Sequence, residues 1–346
     1  MNTALTFGKW RGLAQIADDH GRFKMLAVDQ RPPLQKLVAA AKQKADARDV
    51  AAIKRALVAE LSPQSSAVLM DPIYALPGGA NYLAPHCGLI VTLEDHRFSD
   101  TDGGRVSRVI PNWSVEKIKR MGGDAVKILV WYHPHAAAKV RDAQQDFVRA
   151  VAAECRRLDI LLVLELLLYP LGGDVGYVES PQKRPALVLQ SIRDFAAPQF
   201  GVDVFKLESP LPAASLAEPR GNSAQTRQAR RWFEKIHQAA GRPWVVLSAG
   251  ATAESFVRVV RFAGEAGASG YLAGRAIWMD SACQFPHWRK VRADLKTRAC
   301  AYMAQLNKIV DDCAMPWQEA MRGKAKPPGI LGMAKNYADF GGKTMR

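Results

Sequence analysis

Eight short runs of nearly uninterrupted apolar residues, separated by longer amphipathic stretches, constrain this chain most. They read KMLAV (24–28), SAVLM (66–70), GLIVTL (88–93), AVKILVW (125–131), ILLVLEL (160–166), VDVFKLE (202–208), WVVLSA (244–249) and GYLAG (270–274). Runs rich in Val, Ile and Leu without polar alternation fit strands buried on both faces, as in a parallel sheet. Helices are expected over 46–60, 114–121, 135–157, 184–197, 223–240 and 252–266. In the last, Thr252 can cap the start, Phe256, Val259, Val260 and Ala263 make one face, and Gly267 can end it. Alternating strands and helices with a count of eight predict an α/β fold closed as a (β/α)8 TIM barrel, with the remaining length in insertions and extra terminal helices. The barrel core is expected over about 22–280 and a C-terminal helical extension over 281–346. That extension reads as helix over roughly 286–312, then a Pro/Gly-punctuated segment, KAKPPGILGMAKNYADFGGKTMR. No linker, repeat or low-complexity tract divides the 346 residues, so one domain is expected. The stretch 94–113 reads as a long loop after the third strand, and PGGAN (77–81) as an ordinary turn.

Composition excludes several function classes. Lys and Arg number 48 and Asp and Glu 33, a net charge of +15. The basic residues are spread along the chain, and RQARRW (227–232) and KVRADLKTR (290–298) read as solvated helix faces, so no nucleic-acid partner is expected. The same charge would steer anionic metabolites toward a cleft. The longest apolar run, Ile160 to Leu171, is interrupted by Glu165 and is too short to span a bilayer. The N-terminus, MNTALTFGKWRG, lacks a long apolar stretch of the secretory type. Cys87, Cys155, Cys283, Cys300 and Cys313 form no CxxC pair, which fits reduced thiols and a cytoplasmic location.

The chemistry lies in where charges interrupt the apolar runs. Asp29 ends the first, Lys127 lies in the fourth, Glu165 in the fifth and Lys206 in the sixth, while Ser248 ends the seventh. A charge within a buried strand is costly unless it is paired. Alternation puts Val204, Lys206 and Glu208 on one face, and Leu161, Val163 and Glu165 on one face. If those faces point into the barrel, two lysines and two carboxylates converge at its C-terminal mouth, where such barrels carry their active sites. One reading is an ion-pair network, Lys127–Glu165 or Lys206–Glu208, that satisfies the interior. The other is a nucleophile. A lysine beside a second ammonium and removed from water loses its proton more readily, and the free amine forms a Schiff base with a carbonyl. The turns SAGAT (248–252) and AGRAI (273–277) follow the last two strands, where this fold commonly holds phosphate. Gly250 allows close backbone approach, Ser248 supplies a hydroxyl and Arg275 a bidentate fork.

Four segments carry a family resemblance. They are MLAVDQR (25–31), PNWSVEKIKRMGGDAVKILVWY (111–132), DVFKLESP (203–210) and LSAGATAESFVRVVRFAGEAGASGYLAGRAIW (247–278). The chain resembles the class I tagatose-1,6-bisphosphate aldolases, a family that includes the sulfofructose-phosphate aldolases. The resemblance implies that Lys206 is the Schiff-base lysine and that Lys127 lowers its pKa and orders substrate hydroxyls. It implies that Glu165 is the general acid/base and that Asp29, with Gln30 beside it, assists proton transfer at the cleaved bond. Ser248, Gly250, Gly274 and Arg275 would bind a phosphate. The implied reaction cleaves a phosphorylated ketose, foremost D-tagatose 1,6-bisphosphate, to dihydroxyacetone phosphate and glyceraldehyde 3-phosphate. A 6-deoxy-6-sulfofructose 1-phosphate aldolase of sulfoglycolysis is the alternative within the class. No metal or other cofactor is implied, and the resemblance favours a homodimer.

The chain departs from the family at Pro32-Pro33, where a glycine is usual. It departs again in LLLYPLGGDVGY after the fifth strand, in EDHRFSD after the third, and in a longer tail. The first three departures concern the distal end of the substrate. Two readings lie outside this class: a metal-dependent lyase using His133 and His135, and a non-catalytic barrel that binds a sugar phosphate. The histidines lack a nearby acidic or cysteine ligand in sequence, and they read as loop residues or hydroxyl contacts. Trp113, Trp131, Trp278 and Trp288 read as packing residues.

Overall fold

The computed structural model of the chain describes residues 5–321, apart from 45, 102, 174, 175, 177 and 178. Its strands are β1 (Phe23–Ala27), β2 (Ala67–Met70), β3 (Gly88–Thr92), β4 (Ala125–Trp131), β5 (Leu161–Leu167), β6 (Val204–Leu207), β7 (Trp244–Val246) and β8 (Gly270–Ala273). Each pairs in parallel with the next, and β8 returns to β1 to close the barrel. The eight expected strands are all present. Their lack of polar alternation has the predicted cause: both faces are buried, one against helices and one against the barrel interior.

The interior is apolar at its N-terminal end. Met25, Leu69, Ile90, Val163, Val204 and Leu272 belong to one buried cluster. A helix over Phe7–Ile16 contributes Leu13 and Ile16 to that cluster, and Trp317 joins them. These elements close the bottom of the barrel. Two residues further along the same faces, the lining becomes polar: Thr92 follows Ile90, Glu165 follows Val163 and Lys206 follows Val204. The parity of the strands therefore delivers the charges to the opposite end from the plug.

The six expected helices occur at Ala47–Leu61, Val115–Arg120, Ala138–Arg157, Arg184–Phe195, Ala224–Ala240 and Ala253–Glu265. Thr252 accepts a hydrogen bond from the Ser255 amide at 3.2 Å, and Gly267 turns the chain with φ +102°. RQARRW lies on the fifth of these helices, and KVRADLKTR lies on a C-terminal helical run from Trp288 to Cys313 that passes through a π turn at Leu295–Ala299. The rest of the tail, 322–346, lies outside the described residues.

Two readings need correction. PGGAN is not a plain turn: Ala75–Gly79 is a short helix, followed by a 3-10 turn at Ala80–Tyr82. Its glycines permit close packing on the helix Ala47–Leu61, since a Cβ on Gly79 would lie 3.2 Å from the Val58 side chain. The stretch 94–113 is not one loop. Ser99–Thr101 and Gly104–Val106 pair as an antiparallel hairpin, and Glu94 bridges to Val109. Helices at Pro32–Ala41 and Arg275–Ala282 lie outside the six expected ranges; the paired prolines fall in the first turn of the former, where the absent N–H costs nothing.

Leu13 is fully buried in the plug. Leu13→Ala is expected to cost about 2–5 kcal/mol of stability, read from urea unfolding.

Candidate active site

The polar layer at the C-terminal mouth is one connected cluster. Lys127 on β4 is 1% exposed, and its Nζ meets three carboxylates: Glu165 Oε2 at 2.7 Å, Glu94 Oε1 at 2.9 Å and Asp29 Oδ2 at 3.0 Å. Lys206 Nζ lies 3.0 Å from the same Glu165 Oε2, so one carboxylate oxygen serves both lysines. Barrel register accounts for this: Glu165 on β5 is the Cα partner of Lys206 on β6 and of Leu129 on β4, two residues past Lys127. Arg31 follows β1, approaches Glu94 Oε1 at 3.6 Å and donates to the Glu94 backbone carbonyl at 3.3 Å. Thr92 Oγ1 donates to Asp29 Oδ2 at 3.3 Å. Lys127, Lys206 and Arg31 thus face the carboxyl groups of Asp29, Glu94 and Glu165 in a space nearly closed to bulk water.

Burial and charge oppose each other at each group. Burial alone would lift Asp29, but Lys127, Lys206 and Arg31 outweigh it and hold its carboxyl well below the usual range. Burial alone would lower Lys127, yet Asp29, Glu165 and Glu94 hold it as an ammonium well above its ordinary pKa. At Glu94 burial wins against Lys127 and Arg31, and the carboxyl is pushed up. Asp29 Oδ1 and Glu94 Oε2 are buried and have no hydrogen-bond partner among the described residues. Lys127, Lys206, Asp29 and Glu165 therefore meet at the mouth. Glu208 does not join them: it accepts from the Leu168 amide at 2.8 Å and pairs with Arg184 at 2.9 Å. It follows the last residue of β6, where the chain has left the strand and turned toward the helix that carries Arg184.

A second group lies on the β7 and β8 loops. Ser248, Gly250 and Arg275 line a cavity of about 380 Å3, together with Trp131, Leu247 and Ser209. Gly250 has φ +84°, a conformation that a side chain would strain, and a Cβ there would stand 3.8 Å from Arg275 Nη1. Gly274 lies at the β8–β1 seam. A Cβ on it would overlap the Ala27 carbonyl, which accepts from Trp278 Nε1 at 2.9 Å, and would lie 3.1 Å from Gln30 Nε2. Trp278 is buried as a packing residue; Trp131 is only partly buried and belongs to the mouth.

Sequence reasoning missed Glu94, Arg31 and Thr92. The signal was available. Ile90, Thr92 and Glu94 keep a period of two past the end of β3, which places Glu94 on the inward face.

His133 and His135 follow β4. The His135 amide donates to His133 Nδ1 at 3.1 Å and the rings meet edge to face at 5.5 Å. Among the described residues, no three or more His, Cys, Asp or Glu side chains are grouped to hold a metal ion. Among those residues too, no helix is long and apolar enough to cross a membrane.

A closed parallel barrel with lysines and carboxylates paired at its C-terminal mouth fits a barrel lyase of the aldolase type, and the family comparison shows that class. The chain belongs to the DeoC/LacD family aldolases, whose model matches residues 23–280. It is 36% identical over 324 residues to a tagatose 1,6-diphosphate aldolase of Listeria monocytogenes, covering 90% of this chain and 94% of that relative. It is 31% identical over 324 residues to tagatose 1,6-diphosphate aldolase 1 of Streptococcus mutans, covering 91% and 99%. Among solved structures, a fructose-bisphosphate aldolase from Plasmodium falciparum superposes with a TM-score of 0.62 at 12% identity, covering 95% and 99%. A Schiff base forming fructose-1,6-bisphosphate aldolase does so with a TM-score of 0.57 at 19% identity, covering 87% and 99%. These two likenesses concern the fold. The protein is a carbon–carbon lyase of this aldolase family.

Burial, and then the neighbouring His135, push the His133 imidazole down to about 4. An unfolded histidine titrates near ~6.5, so the unfolded chain binds more protons between these values. The stability that His133 contributes is complete above the unfolded value and is lost as pH falls through about 4. An NMR titration of the His133 ring is expected to find its midpoint near 4; a midpoint above 6 would remove this contribution.

Proposed function

We infer that the protein is a Schiff-base aldolase that cleaves a ketose 1,6-bisphosphate, foremost D-tagatose 1,6-bisphosphate, to dihydroxyacetone phosphate and glyceraldehyde 3-phosphate. One observation carries this reading: Glu165 Oε2 lies 2.7 Å from Lys127 Nζ and 3.0 Å from Lys206 Nζ. A shared carboxylate of this kind can take a proton from one amine while the other stays charged. The relatives at 36% and 31% identity are named as tagatose 1,6-diphosphate aldolases, which supports the substrate.

The roles follow from the geometry. Lys206 adds its amine to the C2 carbonyl, and the carbonyl oxygen takes a proton to give a carbinolamine. Glu165 moves protons as that hydroxyl leaves as water and the iminium forms. Lys127 stays an ammonium, because three carboxylates hold it so, and it can orient substrate hydroxyls. Asp29, kept anionic by Lys127, accepts the C4 hydroxyl proton through its unpartnered Oδ1. The C3–C4 bond then breaks, its electron pair enters the iminium, and the aldehyde departs. The enamine is protonated at C3, and water releases dihydroxyacetone phosphate from Lys206. Ser248, Gly250 and Arg275 hold a phosphate in the cavity they line, and Gly274 and Gln30, neighbours at the β8–β1 seam, add to substrate binding. The enzyme needs no cofactor in this scheme.

Incubation with dihydroxyacetone phosphate, then borohydride and peptide mass spectrometry, tests the reading. A reduced adduct on Lys206 is expected; folded protein with no adduct on any lysine would overturn it. Release of glyceraldehyde 3-phosphate or of sulfolactaldehyde from the two candidate ketoses separates the substrates.

Lys127→Met is expected to move the pH–activity profile upward, because Glu165 would then pair with Lys206 alone and hold its proton. The same change leaves Asp29, Glu94 and Glu165 without their common ammonium, at a stability cost of about 3–5 kcal/mol. An unchanged pH profile in folded protein would count against the role of Lys127.

A further inference from the structure

We propose that Arg105, on the hairpin that follows β3, binds the anionic group at the aldehyde end of the substrate and thereby selects it. The proposal rests on the Schiff-base reading for the position of the substrate. The ligand chemistry is a tetrahedral oxyanion on C6, either a phosphate or a sulfonate.

The observations are these. The Arg105 guanidinium stands 4.3 Å from the Phe98 ring centroid, 4.9 Å from that of Tyr169 and 5.0 Å from that of Trp131. No carboxylate among the described residues makes an ion pair with it, although Asp100 is its cross-strand partner in the hairpin. Rings can cover a guanidinium's faces, but they leave its edge N–H donors for a ligand. An oxyanion accepts from two of those donors at once. The backbone of Arg105 is fixed as well. Its amide donates to Tyr169 Oη at 3.1 Å, and its carbonyl accepts from Gln144 Nε2 at 3.0 Å. Gln144 also donates to the Trp131 carbonyl at 2.7 Å, which ties the hairpin to the end of β4.

Position agrees with this role. Trp131 lies two inward positions beyond Lys127 on β4. It forms part of the wall of the cavity that Ser248, Gly250 and Arg275 line. A ketose held at C2 by Lys206, with one phosphate on the β7 and β8 loops, extends its far end toward another part of the mouth. Arg105 stacks against Trp131, beside that cavity wall, and among the described residues no carboxylate forms an ion pair with it.

The test uses hexitol 1,6-bisphosphate and hexitol 1-phosphate, which have no carbonyl and bind without Schiff-base chemistry. Calorimetry on the full chain is expected to find that Arg105→Gln weakens the bisphosphate roughly 10- to 100-fold, the scale of a lost charged hydrogen bond. The 1-phosphate should change less than about twofold. Arg105→Lys, which keeps the charge and loses the fork, should fall between and serves if the Gln variant does not fold. Equal weakening of both ligands, or of neither, would overturn the proposal. A third ligand with a sulfonate at C6 shows which anion the site prefers in the wild type. Borohydride trapping of dihydroxyacetone phosphate on Lys206, run on the same variants, reports the Schiff-base reading separately, since that ligand has no distal anion.

Discussion

The contacts of Lys127 with Asp29, Glu94 and Glu165 hold the mouth of this barrel together. Each carboxylate comes from a different segment: the end of β1, the chain after β3, and β5. An isolated charge at this depth would cost several kcal/mol. Lys127 offsets that cost for three groups at once, so the segments after β1 and β3 and the strand β5 are all tied to β4. Arg31 extends the network by joining the β1 loop to Glu94. A site built this way is organised before substrate arrives.

The apolar end of the barrel makes that arrangement possible. Leu13, Ile16 and Trp317 close the bottom, and the inner layers of Met25, Leu69 and Val163 exclude water from below. The charged layer can then be wetted only from the mouth. Low local dielectric strengthens every pairing in the cluster, and it makes an unpaired member expensive. A stable plug and a reactive mouth are thus two consequences of one strand parity, read at two heights.

Strand parity also explains what the sequence disclosed. Lys127, Glu165 and Lys206 stand inside long apolar runs, so their burial and convergence could be read directly. Asp29 was legible as the polar end of β1. Glu208 misled because its parity matches that of Lys206, but parity holds only while the chain remains a strand, and β6 ends at Leu207. Glu94 was hidden for the converse reason. It lies beyond the end of β3 in a polar stretch, yet its bridge to Val109 prolongs the extended backbone and keeps it inward. Extra terminal helices were expected, but the plugging role of Phe7–Ile16 was illegible because its partner surface, the open end of a barrel, exists only after closure.

The division of labour at the mouth follows from which segments the barrel must keep. Groups proposed to form and break bonds lie on or beside strands β1, β4, β5 and β6, whose positions the hydrogen-bond ladder fixes. The proposed distal-anion reader lies on a short hairpin, held by Gln144 and a cluster of rings rather than by the ladder. Loops on a rigid scaffold can change without disturbing it. EDHRFSD (94–100) spans both kinds of residue. Its first residue, Glu94, is bound into the charged cluster and is held to one identity by Lys127 and Arg31. Phe98, four residues later, packs against Trp131 and Arg105. The boundary between fixed chemistry and adjustable recognition therefore falls within this one stretch, at the point where inward-facing backbone gives way to the hairpin.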